Sequence, residues 1–163
     1  QSIDFGATAA AFTGDNSADF TVEFEPSATA LEKQGAGYVV ASLGVDSGYV
    51  PYTSYSAKTS YMEKNPDIMQ KFTNALQKGM DYVQKHTPEE IARVIEPQFP
   101  ETDLDTITAI VKRYYDQDTW KENLVFGQEE FELLQDILED AGELKERTPY
   151  EELVNTEFAQ NAS

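Results

Sequence analysis

The sequence predicts an α/β chain: a short parallel βαβ unit followed by a mainly helical C-terminal half. Three observations point there. Residues 20–25, FTVEFE, alternate apolar and polar side chains with the two-residue period of a strand. Residues 38–43, YVVASL, form a run that is apolar on both faces apart from Ser42, as in a strand covered on both sides. From about residue 59 onward, apolar residues recur at helical spacing.

The elements follow in order. SIDFGAT is the end of a short strand that turns at Gly6, and TAAAFTGD supplies one or two helical turns closed by Gly14. Asp15, Asn16 and Ser17 form a turn. After the strand at 20–25, Pro26 suits the first position of a helix, because its missing N–H would have no partner there anyway. That helix runs to about Lys33 and ends at Gly35 and Gly37. So short a helical connection between two strands implies a right-handed parallel unit. Residues 44–53, GVDSGYVPYT, are a connector with two Gly and a Pro, and YTSYSAK is a further possible strand. Asn65-Pro66 then opens a helix with Ile68, Phe72, Ala75, Leu76 and Val83 on one face. Thr87-Pro88-Glu89-Glu90 reads as a capping box that leads Ile91, Val94 and Ile95. Leu104, Ile107, Ile110, Val111 and Tyr114 mark the next helix, and Phe131, Leu134, Ile137 and Leu138 another, closed by Gly142. Thr148-Pro149-Tyr150-Glu151 reads as a second capping box, opening a last helix with Leu153, Val154 and Phe158.

Two parallel strands and one helix cannot cover both faces of a sheet. The missing neighbours are expected in further sequence or in a second copy of the chain. The opening QSIDFGAT has no Met, basic region or apolar core, so the chain is expected to be a fragment.

Composition narrows the function classes. The chain has 163 residues, enough for one ordinary core, with 40% apolar and 12% aromatic residues. Thirty acids against twelve bases give a net charge of -18, which argues against nucleic acid and anionic membrane surfaces as partners. There is no cysteine, so disulfides, thiolate metal sites and cysteine nucleophiles are excluded. No apolar run approaches the roughly 18 residues of a membrane helix.

Candidate site residues come from position and chemistry. Ligands of open parallel sheets bind beyond the carboxyl ends of strands, near helix N-termini. Glu25 sits at such a place and could accept hydrogen bonds from a cationic or hydroxylated solute. The commoner role for an acid there is to be stabilised by the helix dipole or to act as a substitute cap. Tyr49 and Tyr52 flank the connector and could stack on a flat solute, or pack as ordinary strand residues, as expected of Tyr55. His86, the single histidine, ends a helix, where a capping role fits best. No G-x-S-x-G elbow accompanies it. Gly35-Ala36-Gly37 precedes a strand and so is no dinucleotide fingerprint. Asp103 and Asp105 read as first-turn helix acids, and residues 14–19 lack EF-hand spacing. Glu129 and Glu130 read as a solvated helix face, and Trp120 as a packing anchor.

The series AAAFTGDNSADFTVEFEPSATALEKQGAGYVVASLG, SGYVPYTSYSAKTSYMEKNPDIMQKFTNALQKGMDYVQKHTPEEIA, FPETDLDTITAIVKRYYDQDTW, FELLQDILEDAGEL and PYEELVN covers nearly the whole chain. In that order it resembles the solute-binding proteins of the nitrate, sulfonate and taurine class of ABC importers, including the group related to thiamine-pyrimidine synthesis proteins. The resemblance implies part of a two-lobe periplasmic-binding-protein-like II fold. Residues 1–44 would end the second lobe, 45–58 would form an interlobe crossing and strand, and 59–163 would supply helices of the first lobe. It also implies that the helix entry at Phe5 to Thr8, the strand end at Phe24 and Glu25, and the crossing residues Tyr49, Tyr52 and Thr53 face a ligand cleft. The implied function is substrate binding for an importer of a small solute such as a sulfonate, nitrate or pyrimidine, with an ABC permease as partner. No cofactor, metal or catalytic residue is implied, because His86 lies away from that cleft. The implied location is extracytoplasmic, with membrane attachment only through a lipid anchor that this chain lacks. The alternative is a non-catalytic interaction or structural module that works through its helical surface. The unpartnered sheet edge predicts self-association.

Overall fold

The structure, a computed structural model, describes residues 3–4, 6–15 and 17–163. The chain divides into two compact units, each built from two separate stretches. Unit 1 comprises residues 1–42 and 87–117, and unit 2 comprises 43–86 and 118–163.

Unit 1 holds α1 (Thr8–Gly14), α2 (Ser27–Lys33), α6 (Pro88–Ile95), a 3-10 turn (Glu96–Gln98) and α7 (Leu104–Asp116). Its core is Leu31 of α2, Ile91 and Ala92 of α6, and Ile107 and Val111 of α7, all buried. The apolar face of α7 packs on α6, and α2 also packs on α7. The predicted capping box is present. Thr87 Oγ1 accepts the Glu90 N–H, and Glu90 Oε2 accepts the Thr87 N–H at 2.9 Å, so two otherwise orphaned donors are satisfied. Asp103 caps α7 by accepting the Thr106 N–H at 2.9 Å. At the end of α2, Gly35 has φ +70, and the N–H groups of Gly35 and Ala36 return to the carbonyls of Glu32 and Leu31. That is the glycine-closed end the sequence predicts.

Unit 2 holds α3 (Leu43–Asp46), α4 (Thr59–Lys64), α5 (Pro66–Lys85), α8 (Gln128–Asp140), α9 (Tyr150–Leu153) and α10 (Glu157–Gln160). Buried Phe131 anchors it, edge-on to Phe126 and Tyr150 at centroid distances of 5.9 and 5.7 Å. The twenty residues of α5 include none that is buried; Ile68 and Phe72 of the predicted apolar stripe are exposed, and Phe72 meets Tyr55 edge-on at 5.0 Å. Instead, Gln70, Gln77 and Gln84, spaced seven apart, donate to the backbone carbonyls of Phe158, Glu122 and Trp120 at 3.0, 3.0 and 3.1 Å. Gly142, at φ +74, closes α8 in the same way that Gly35 closes α2.

Several expectations are corrected. The chain is not α/β: among the described residues no strand occurs, and there is no parallel βαβ unit. Residues 18–24, 37–42 and 50–58 are irregular. A strand needs a neighbour's ladder of N–H and C=O groups, not only apolar or β-branched side chains. Here the Val39 N–H donates to the Glu32 carboxylate, while Phe20, Val22, Tyr38 and Val40 stand exposed instead of stacking across a sheet. Of the predicted strand end SIDFGAT, Ser2 and Phe5 lie outside the described residues, and the described residues before α1 form no strand. The second capping box is also absent. Thr148 pairs through its backbone N–H with Gln135 Oε1 at 2.9 Å, and the last helix is two short pieces, α9 and α10, broken after Leu153.

Candidate functional site

The helix α7 presents two faces. One is apolar, with Ile107 and Val111. The other carries Thr106 and Arg113, seven residues apart, and the C-cap residue Gln117 follows four residues later. Thr106 and Arg113 reach α2 or its borders, and Gln117 reaches the segment that follows. Lys33 donates to Thr106 Oγ1, which in turn donates to Asp103 Oδ2 at 2.5 Å. Arg113 donates through Nη1 to Glu25 and through Nη2 to Glu32 Oε2 at 2.5 Å. Gln117 Oε1 accepts the Ser42 hydroxyl at 2.9 Å.

Glu25 is the centre of this arrangement. Its side chain is 6% exposed. Oε2 accepts the Thr29 N–H, and Oε1 accepts the Thr29 hydroxyl, both at 3.0 Å. Arg113 also lies 3.2 Å from Thr29 Oγ1. The carboxylate therefore does two jobs at once: it serves the first turn of α2 and it pairs with a cation of α7. At the other end of α2, the Val39 N–H and then the Arg113 guanidinium hold the Glu32 carboxyl below the usual carboxylate range. The hydrogen bonds from the Thr106 hydroxyl and N–H pull Asp103 down to about 2. Such a set can order backbone and fix charge.

The other expected residues fall as follows. Thr8, at the start of α1, donates to Glu23 Oε2 at 3.1 Å, and Thr21 donates to Oε1 of the same carboxylate at 2.9 Å. Phe24 is half exposed, and its carbonyl accepts the Ala28 N–H at 3.2 Å. Phe5 lies outside the described residues. Thr8, Phe24 and Glu25 belong to unit 1, whereas Tyr49, Tyr52 and Thr53 belong to unit 2. Tyr49 donates to the Asp118 carboxylate, which raises its phenol above the ordinary range. Tyr52 and Thr53 lie on an exposed stretch. His86 stacks on Tyr82 with ring centroids 3.6 Å apart, and its Nδ1 lies 2.8 Å from the Tyr82 carbonyl oxygen. A carbonyl only accepts, so Nδ1 carries the proton.

Unit 2 also contains a recess of about 390 Å³ beside α8, lined by Phe131, Glu132, Gln135, Arg147 and Tyr150 among others. Several polar groups around it already bond within the unit. Gln135 pairs with the Thr148 backbone, Tyr150 donates to the Phe126 carbonyl, and Arg147 pairs with Asp136 and Glu139. Among the described residues no group of three His, Asp or Glu side chains could hold a metal ion, and no helix is long and apolar enough to cross a membrane.

Arg113 was not among the residues the sequence singled out. A signal for it existed: in a chain with twelve bases, a lone arginine in the last turn of an amphipathic helix is a candidate partner for any buried acid.

No family model matches the chain, and no solved structure does. The chain is similar to a Bacillus subtilis (strain 168) protein named "Putative binding protein YtlA", with 40% identity over all 163 residues. It spans 48% of that relative's length, about half of it.

Proposed function

We propose that this chain contributes to the solute-binding part of an extracytoplasmic receptor that serves an ABC importer. The observation that carries this reading is 40% identity, along all 163 residues, to a protein named as a binding protein. The ordered resemblance to the nitrate, sulfonate and taurine class supplies the solute range: a sulfonate, nitrate, a pyrimidine or a related compound. On this reading the chain catalyses nothing. Phe24 of unit 1 offers aromatic surface to the solute, and Thr8 and Glu25 of the same unit support the polar groups beside it.

The test is thermal unfolding of the 163-residue chain against taurine, sodium nitrate, cytosine and riboflavin. A ligand at 100 times its Kd stabilises the native state by about 2.7 kcal/mol, a shift of several degrees. A saturable rise in Tm with one of these compounds is expected. No rise with any of them overturns the reading.

A second reading, a non-catalytic interaction module, is favoured by the exposure of Phe20 (82%) and Tyr38 (87%) in unit 1. It predicts that molecular mass measured by light scattering climbs with concentration. A constant monomer mass would remove it.

A further inference from the structure

We infer that Arg113 is a positioning residue for the binding proposed above: through Glu25 and Glu32 it fixes both chain segments that border α2. The inference rests on that binding reading, and the geometry behind it is local to unit 1. A guanidinium is a rigid planar fork whose two outer nitrogens can serve separate acceptors. In Arg113 they do: Nη1 donates to Glu25 Oε1 and Nη2 to Glu32 Oε2. The second oxygen of each carboxylate takes a backbone N–H. Glu25 Oε2 accepts from Thr29, and Glu32 Oε1 accepts from Val39 at 2.9 Å. One cation thus aligns two acceptors, and each acceptor holds an amide.

The two ties sit at informative places. Glu25, directly after the irregular segment that carries Phe24, is tied to Thr29 in the first turn of α2, and Val39 lies within the segment 37–42, whose far end is tied by Ser42 to Gln117. Neither segment is held by a strand ladder, so side-chain ties decide where it lies. The other bases nearby are occupied elsewhere: Lys33 faces Asp103 and Thr106, and Lys112 faces Asp116. Removing the Arg113 charge would leave the Glu25 carboxylate, 6% exposed, without its cation. A lysine offers one point charge and can serve one of the two carboxylates well, not both.

The test uses the full chain as wild type, Arg113→Met, Arg113→Lys and Glu32→Gln. Glu32→Gln keeps an acceptor for the Val39 N–H and removes the charge, so it remains informative if Arg113→Met does not fold. The first readout is amide hydrogen exchange resolved at Thr29, Val39 and Val111. Loss of a charge-assisted tie is expected to speed exchange at Thr29 and Val39 by about tenfold in Arg113→Met, with Val111 within about twofold of wild type. Arg113→Lys should recover part of the protection, and Glu32→Gln should speed Val39 more than Thr29. The second readout is the Kd of whichever of taurine, nitrate, cytosine or riboflavin the wild type binds, expected to weaken about tenfold or more in Arg113→Met. Unchanged exchange at Val39 and Thr29, or exchange that rises in step with Val111, overturns the positioning role. Wild type that binds none of the four compounds strikes the binding reading alone, and the exchange pattern still decides whether Arg113 holds the segments.

Discussion

In unit 1 the ties that fix loop to helix run through Arg113, Lys33 and the carboxylates of Glu25, Glu32 and Asp103. In unit 2 the same task falls to Gln70, Gln77, Gln84 and Gln135, whose neutral amides bond backbone groups. Unit 2 has ion pairs too, such as Arg147 with Asp136 and Glu139, but these side chains are each more than 40% exposed. The Glu25 carboxylate, by contrast, is nearly withdrawn from water. Two solutions to one problem should therefore answer differently to pH and salt.

The largest effects should come from the apolar anchors, which test whether the units are separate at all. Phe131→Ala should cost about 3–5 kcal/mol and Ile107→Ala about 2–5 kcal/mol. Hydrogen exchange followed by mass spectrometry should show each loss in the unit that carries the residue. Equal loosening of both units by either variant would dissolve the comparison. Next comes the capping box. Thr87→Ala should cost about 1 kcal/mol by urea unfolding, with the faster exchange confined to the first turn of α6.

Smaller again is the contrast of charge and amide. Gln84→Ala should cost about 0.5–1 kcal/mol, the same at low salt and in 1 M NaCl. At 1 M salt the screening length is only about 3 Å, so the partly exposed pair of Arg113 with Glu32 should weaken and Val39 should exchange faster. A salt response of Gln84→Ala as large as that of Val39 would refute the assignment of charge to one unit and amide to the other. The subtlest effect is acid. Asp103 titrates near 2 in the folded chain against an ordinary 3.8. A depressed carboxylate contributes stability above its unfolded value and loses it as the pH falls through the folded one. The start of α7 should therefore loosen between about pH 4 and pH 2, and Asp103→Asn should flatten that window when the Thr106 amide is followed by NMR.

Much of the helical content was legible because it is written locally. The box at Thr87 to Glu90, Pro66 at a helix start, and Gly35 and Gly142 at helix ends all declare themselves within a few residues. The strands were misread for the opposite reason. Alternation at 20–25 and the apolar run at 38–43 state a side-chain preference, but a ladder depends on a partner that no local pattern contains. Thr148-Pro149-Tyr150-Glu151 failed as a cap because Gln135, thirteen residues earlier, claims the Thr148 backbone. Within the candidate site, Glu25 was legible from its place before Pro26. Arg113 was not, since the pairing joins residues 88 apart.

The division of the chain carries a consequence for biosynthesis. Unit 1 is interrupted by residues 43–86, which belong to unit 2. Its α6 and α7 are close in sequence and can pair early, but α2, which meets only α1 before then, cannot dock on α7 until α7 has left the ribosome. At roughly 5–20 residues per second, the apolar segments around α2 wait several seconds for that partner. Closing so long a loop adds little to the final free energy and much to the search. During those seconds Leu31, buried in the finished unit, stands where a chaperone, or a neighbouring nascent chain, can reach it first.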